Sequence, residues 1–166
     1  MILKSFEIKK INQSINHLIL FYGKNEGLKN EAIDILNKDK NDILSYEEKE
    51  IFDNENNFIE NILSKSLFEK QKFIIIKRVS DKILKIIEIL QQKNLEDTTI
   101  ILNSDNLEKK SKLRYLFEKD KKLVCVPFYP DNNQTLSKLA YNFLRDKKIS
   151  ISSANINLIV DKCGGD

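Results

Sequence analysis

Five stretches of the chain are apolar for most of their length, and between them the apolar residues recur every three or four positions. The continuous stretches predict strands: His17 to Tyr22, Ile43 to Tyr46, Lys72 to Lys77, Thr98 to Asn103 and Leu123 to Phe128. Ile51 and Phe52 suggest a short return strand after the second. Phe73-Ile74-Ile75-Ile76 and Thr99-Ile100-Ile101-Leu102 are rich in β-branched residues and carry no polar alternation, as expected of central parallel strands covered on both faces.

Helical spacing occupies the intervals Glu26 to Leu36, Asn56 to Leu63, Asp81 to Gln92 and Glu108 to Lys119. In the third, Ile83, Ile86, Ile87 and Leu90 share a face opposite Lys82, Lys85 and Glu88, and Ser80 is placed to cap the helix. Strands alternating with helices predict an α/β fold, a five-stranded parallel sheet with helices on both faces. After Pro127 and Pro130 the pattern becomes purely helical. Leu136, Leu139, Ala140, Phe143 and Leu144 form one stripe, and Ser152 or Ser153 opens a second helix through Val160. A domain boundary is therefore expected near residue 130. The glycines of Cys163-Gly164-Gly165-Asp166 stop a helix, an unusual place for a small helical domain to finish, so the chain is expected to be a piece of a longer protein.

Composition narrows the classes of function. An apolar fraction of 41% with 32% charged residues describes a globular chain, and no apolar run approaches the roughly 20 residues that span a bilayer. The short apolar run Leu18 to Tyr22 leads into Gly-Lys rather than a signal-peptide cleavage site, so a cytoplasmic location is expected. The net charge is +3, from interspersed signs, and gives no basic stripe for nucleic acid. Lysine makes up 25 of the 28 basic residues, in a chain also rich in Ile and Asn, so a single lysine carries less functional weight than usual. Cys125 and Cys163 have no Cys-x-x-Cys spacing and His17 has no ligand-like neighbours, which argues for two reduced thiols and against zinc.

The strand-to-helix junction after Tyr22 reads Gly23-Lys24-Asn25-Glu26-Gly27-Leu28-Lys29-Asn30, where a phosphate loop would require Gly-x-x-x-x-Gly-Lys-Ser/Thr. Leu28 replaces the second glycine, which lets backbone amides close on phosphate. Asn30 replaces the hydroxyl that binds magnesium; only Lys29 fits. The strand Phe73 to Ile76 is followed by Lys77 and Arg78, where an ATPase places the carboxylates that hold magnesium. Two such losses predict that no nucleotide cofactor or metal is used. Gly23 and Gly27 are then expected simply to shape a turn, and Asn103 either to sense phosphate or to form a turn. The opposing reading is a divergent phosphate-loop ATPase or nucleotide kinase using Lys29. A signalling or scaffold α/β domain is a third class, weakened by cations where acids would be clustered.

Ser66-Leu67-Phe68 follows the second predicted helix. Leu67 and Phe68 are adjacent and cannot both face one core. Both could tuck under the loop as a satellite cluster, or one or both could form an exposed apolar anchor for a partner.

Together these motifs resemble the N-terminal part of the delta subunit of the bacterial DNA polymerase III clamp loader. The resemblance is carried by Phe21-Tyr22-Gly23-Lys24-Asn25-Glu26 after the first strand and by Ser66-Leu67-Phe68 before an apolar strand. Thr98 to Asn103 followed by Leu107-Glu108-Lys109-Lys110-Ser111-Lys112-Leu113 continues it, and Ile149-Ser150 with Cys163-Gly164-Gly165-Asp166 closes it. It implies an AAA+ type domain over 1–130 with a non-functional phosphate loop, then the beginning of a helical lid over 131–166, the C-terminal collar domain being absent. The implied role is to bind and open the ring-shaped sliding clamp, the beta subunit, during DNA replication, with no cofactor. Ser66, Leu67 and Phe68 would contact the clamp, and ATP would be handled by motor subunits. Association with those subunits, gamma or tau and delta prime, would run through the missing C-terminal region, and DNA would be met only inside the assembled complex. Such a chain is a subunit of a DNA-directed DNA polymerase (nucleotidyltransferase) holoenzyme by association, and not an enzyme.

Overall fold

β1 (Leu18–Tyr22) is buried along its whole length, and its alternate residues enter two different cores. Leu18, Leu20 and Tyr22 face one side of the sheet; Ile19 and Phe21 face the other. Such two-sided burial is what a run without polar alternation requires, since successive side chains of a strand point in opposite directions. The computed structural model describes residues 1–38, 42–64, 71–95 and 97–163.

The other strands are β2 (Ile43–Glu47), β3 (Lys72–Lys77), β4 (Thr98–Ser104) and β5 (Val124–Pro127). They form one five-stranded sheet in the order β2-β3-β4-β1-β5, and every pairing is parallel. Ile74, Ile76, Ile100 and Leu102 continue the Leu20 side of the sheet, and Phe73, Ile75, Ile101 and Val126 the Phe21 side. Burial of each such side chain contributes roughly 1.5–3 kcal/mol, so the three inner strands dominate the stability of the domain. β2, at the edge, leaves Ile43 and Leu44 exposed.

The Phe21 side is covered by a 3-10 helix (Ser5–Lys10) and by α1 (Glu26–Leu36), which contributes Ala32, Ile33 and Leu36. The Leu20 side is covered by α2 (Glu48–Asp53), α3 (Glu55–Leu63), α4 (Leu84–Gln91) and α5 (Lys112–Lys119) through Ile51, Phe58, Ile62, Ile86, Leu90, Leu113 and Phe117.

Three local expectations are corrected. Ile51 and Phe52 lie in α2, not in a return strand. The Glu47 amide donates to Glu50 Oε2 at 2.9 Å in a capping box, so a helix begins directly at the end of β2. Two adjacent residues, one buried and one exposed, fit a helix as well as a strand. Asp81 to Gln92 is not one helix, since Asp81–Ile83 is a 3-10 turn and α4 begins at Leu84. The segment from Glu108 becomes helical only at Lys112, where Ser111 Oγ caps α5 by accepting the Arg114 amide at 3.1 Å.

The chain divides into two compact units, Met1–Phe128 and a second one from Tyr129 onward. The second contains α6 (Asn133–Asp146) and α7 (Ser153–Cys163), packed on each other. Asn132 and Thr135 cap α6 reciprocally, each donating its amide to the other's side-chain oxygen at 2.9 Å. Ser152 Oγ accepts the Asn155 amide at 3.2 Å before α7. α7 buries Ile156 and Val160, whereas no residue of α6 is fully buried. The apolar stripe foreseen on α6 is split: Leu136, Ala140 and Leu144 are half-buried, while Leu139 and Phe143 are 58% and 61% exposed.

Candidate functional site

The carboxyl ends of β1, β3 and β4 meet where an open parallel sheet ordinarily receives its ligand. The first residue past β1 is Gly23, with φ at +121°. A Cβ there would stand 2.0 Å from the Phe128 carbonyl oxygen, so only glycine fits. The close approach follows from neighbouring bonds. The Phe128 amide donates to Tyr22 O at 2.7 Å, the Asn25 amide donates to Phe128 O at 3.3 Å, and Phe21 and Phe128 meet edge to face at 4.9 Å. Gly27, by contrast, is already inside α1, and a Cβ there would make only an ordinary contact with Asn25 Oδ1 at 3.7 Å.

Amides that a phosphate loop turns toward its ligand are engaged inside the protein here. Gly23 donates to the Asp105 carbonyl, Leu28 to Asn25 Oδ1 at 3.1 Å, and Lys29 to Asn25 O at 3.1 Å. Leu28 is half-buried against the Phe21 core, and Asn30 is exposed on α1.

Lys29 is 0% exposed. Its ammonium reaches Glu26 Oε1 at 2.5 Å, Asn103 Oδ1 at 2.8 Å and the Ser104 carbonyl at 3.1 Å. An ammonium has three N–H donors, and three oxygens meet them. Asn103 is thus the receptor for Lys29, which neither of the roles foreseen for it anticipated. The ends of β3 and β4 are tied as well: Ser104 Oγ donates to Val79 O at 2.6 Å and the Val79 amide to Asn103 O at 3.1 Å.

Lys77 pairs in register with Glu47 of β2, and Arg78, at φ +54°, places its guanidinium 2.7 Å from Glu47 Oε2. The cations at the end of β3 therefore stand beside a carboxylate on the adjacent edge strand. Among the described residues, no three His, Cys, Asp or Glu side chains are grouped to hold a metal ion.

A cavity of about 490 Å³ lies between the segments that follow β3 and β4, lined in part by Arg78, Ser80, Asp81, Asn106, Lys110 and Ser111. Its walls are joined by carboxylates that cap neighbouring elements. Glu48 accepts the Ser80 amide at 2.8 Å and the Ser80 hydroxyl at 2.9 Å. Asp81 accepts the Ser111 hydroxyl at 2.5 Å and the Leu113 and Lys112 amides at 3.1 and 3.2 Å. Burial pushes the Asp81 carboxyl up, but the Ser111 hydroxyl, the two amides and the Lys112 charge outweigh it and hold the group below its ordinary value. Cys125 lies in the core, where desolvation pushes its thiol up to about 12; Cys163 is exposed.

Ser66, Leu67 and Phe68 lie outside the described residues. The positions that flank them are held together. The Lys72 ammonium donates to the Asn61 carbonyl at 2.6 Å, to the Ser64 carbonyl and to Ser64 Oγ at 3.2 Å. One lysine thus satisfies carbonyls at the end of α3 and joins that helix to the start of β3. Sequence reasoning missed Lys72, Glu47 and Asp81 because each acts on an element other than its own, Glu47 and Asp81 on one remote in the chain. The only signal available was a charged residue at an element end.

Fold and site together define an α/β domain that keeps the outline of a phosphate loop and fills it with its own side chain. No protein-family model and no curated protein sequence matches the chain. Among solved structures it is similar to the DNA clamp loader delta protein of Bacillus subtilis (YqeN), with a TM-score of 0.65 at 14% identity. The match covers 93% of this chain and 50% of that one, so the chain spans about half the length of that structure. The fold is the one expected from the resemblance, a five-stranded parallel sheet with helices, shared with a clamp loader delta protein.

Proposed function

We propose that this chain is a delta-type subunit of a clamp loader that binds a ring-shaped sliding clamp and favours its open form, without hydrolysing ATP. The observation that carries the reading is Lys29. In a fold shared with a clamp loader delta protein, the lysine of the phosphate-loop pattern is fully buried and held by Glu26, Asn103 and Ser104. With that lysine engaged inside the protein, docking is the work proposed for the domain.

Leu67 and Phe68 are the proposed anchors, with Ser66 beside them, and they fall in the sequence between the end of α3 and the start of β3, which Lys72 joins through Asn61 and Ser64. Opening a closed ring requires only that the anchors fit the open form better than the closed one, because a ligand shifts an equilibrium by its differential affinity. The energy of ATP hydrolysis enters through separate motor subunits, gamma or tau, which with delta prime and the clamp are the proposed partners.

The test is titration of the sliding clamp from the same organism with the wild-type chain and with Leu67→Ala/Phe68→Ala. Truncating two anchors that would be buried in the clamp is expected to cost at least about 2 kcal/mol, roughly a thirtyfold loss of affinity. Equal affinity for both proteins overturns the assignment. Calorimetry with ATP and magnesium is expected to give no saturable heat, and micromolar binding would return Lys29 to a nucleotide site.

A further inference from the structure

The proposed docking role explains why a nucleotide is not needed, but not what keeps the junction between β1 and α1 closed without one. In a phosphate loop, phosphate oxygens satisfy the lysine, and the chain closes around them. Here the oxygens come from the protein: Asn103 Oδ1 and the Ser104 carbonyl from the end of β4, and Glu26 Oε1 from the first turn of α1. The backbone around Lys29 is closed by the same logic, with Gly23 donating to Asp105 and Asn25 to Phe128.

We propose that Lys29 is an intrachain closure device: the oxygens of Asn103, Ser104 and Glu26 take the place of a bound phosphate group in holding its ammonium, and so lock α1 to the end of β4, and with it the β1–α1 junction, permanently in one arrangement. Three features argue for a closure rather than a leftover lysine. The side chain is fully buried, which a lysine tolerates only when its charge is satisfied. All three N–H groups have oxygen partners, leaving none for an outside anion. Two of the partners, Asn103 and Ser104, lie on β4 at 74 and 75 residues from Lys29, so the contact joins parts of the fold that local bonding does not. A junction held in this way has a single state, whereas a nucleotide-gated junction has two.

Hydrogen exchange on the whole chain tests this without involving the clamp, so it stands or falls separately from the docking proposal. In Lys29→Met, the amides of residues 23–30 are expected to exchange about tenfold faster, with the core amides of β3 little changed. Asn103→Leu is expected to act in the same region, and the double variant Lys29→Met/Asn103→Leu to add little to either change, because both remove one shared contact. Magnesium pyrophosphate at millimolar concentration is expected to leave exchange in the wild-type chain unaltered. If Lys29→Met does not fold, Glu26→Gln neutralises the half-exposed partner without opening a cavity, and an acceleration of about threefold confined to residues 23–30 is expected. Unchanged exchange in the folded variants, fully additive effects of Lys29→Met and Asn103→Leu, or protection of the wild-type loop by pyrophosphate would each overturn the closure.

Discussion

Gly23 and Gly27 lie four residues apart and have opposite physical meaning. At Gly23 the positive φ and the Phe128 carbonyl leave no room for a side chain, so Gly23→Ala is expected to destabilise the fold by about 2 kcal/mol or more. At Gly27 the backbone is helical and a Cβ would meet only Asn25 Oδ1, at an ordinary 3.7 Å, so Gly27→Ala is expected to stabilise by about 0.5–1 kcal/mol. Urea denaturation of the two variants checks both signs, and a stable Gly23→Ala protein would contradict the packing against Phe128. The two thiols differ in the same manner. With its thiol raised to about 12 and buried, Cys125 is expected to resist alkylation in the folded state, while the exposed Cys163 reacts; mass spectrometry after brief iodoacetamide treatment reads the difference.

Between elements, the distinctive feature is carboxylates that cap structures other than their own. Asp81 belongs to a 3-10 turn yet holds the N-terminus of α5 through Ser111, Lys112 and Leu113. Because its carboxyl lies below its unfolded value of about 3.9, its contribution is fully present above that pH and is lost as pH falls through the folded value. Asp81→Ala is expected to cost about 1 kcal/mol at neutral pH, the usual loss for a helix cap, and progressively less in acid. Stability curves that stay parallel from neutral pH down to about pH 3 would remove Asp81 from that role. The same cross-element capping explains why the predicted boundaries of α4 and α5 were too early. Periodicity marked the apolar face, but the first turn of each segment was drawn into a tertiary contact.

For the chain as a whole, protection should follow burial. β4 is buried at six of its seven positions, whereas α6 has no fully buried residue. Amides of α6 are therefore expected to exchange much faster than those of β4, by at least about a hundredfold, in native-state hydrogen exchange. Comparable protection in the two would mean that α6 is covered by something further. The division at Phe128 and Tyr129 gives such an experiment a natural boundary.

Five strands and their order along the chain were legible because a run such as Phe73 to Ile76 has no polar face and must be covered on both sides. The misfit of Leu28, Asn30, Lys77 and Arg78 was legible as chemistry, because each position calls for a residue type that is not there. The destination of Lys29 was not. A lysine after a strand looks the same whether it faces a ligand or the interior, and its seat is made by Asn103 and Ser104, which only the pairing of β1 with β4 brings alongside. Local sequence determined which segments could be strands and helices, through side-chain period and backbone freedom. Tertiary structure decided which charges were satisfied within the fold, because that depends on distances between elements that no spacing along the chain records.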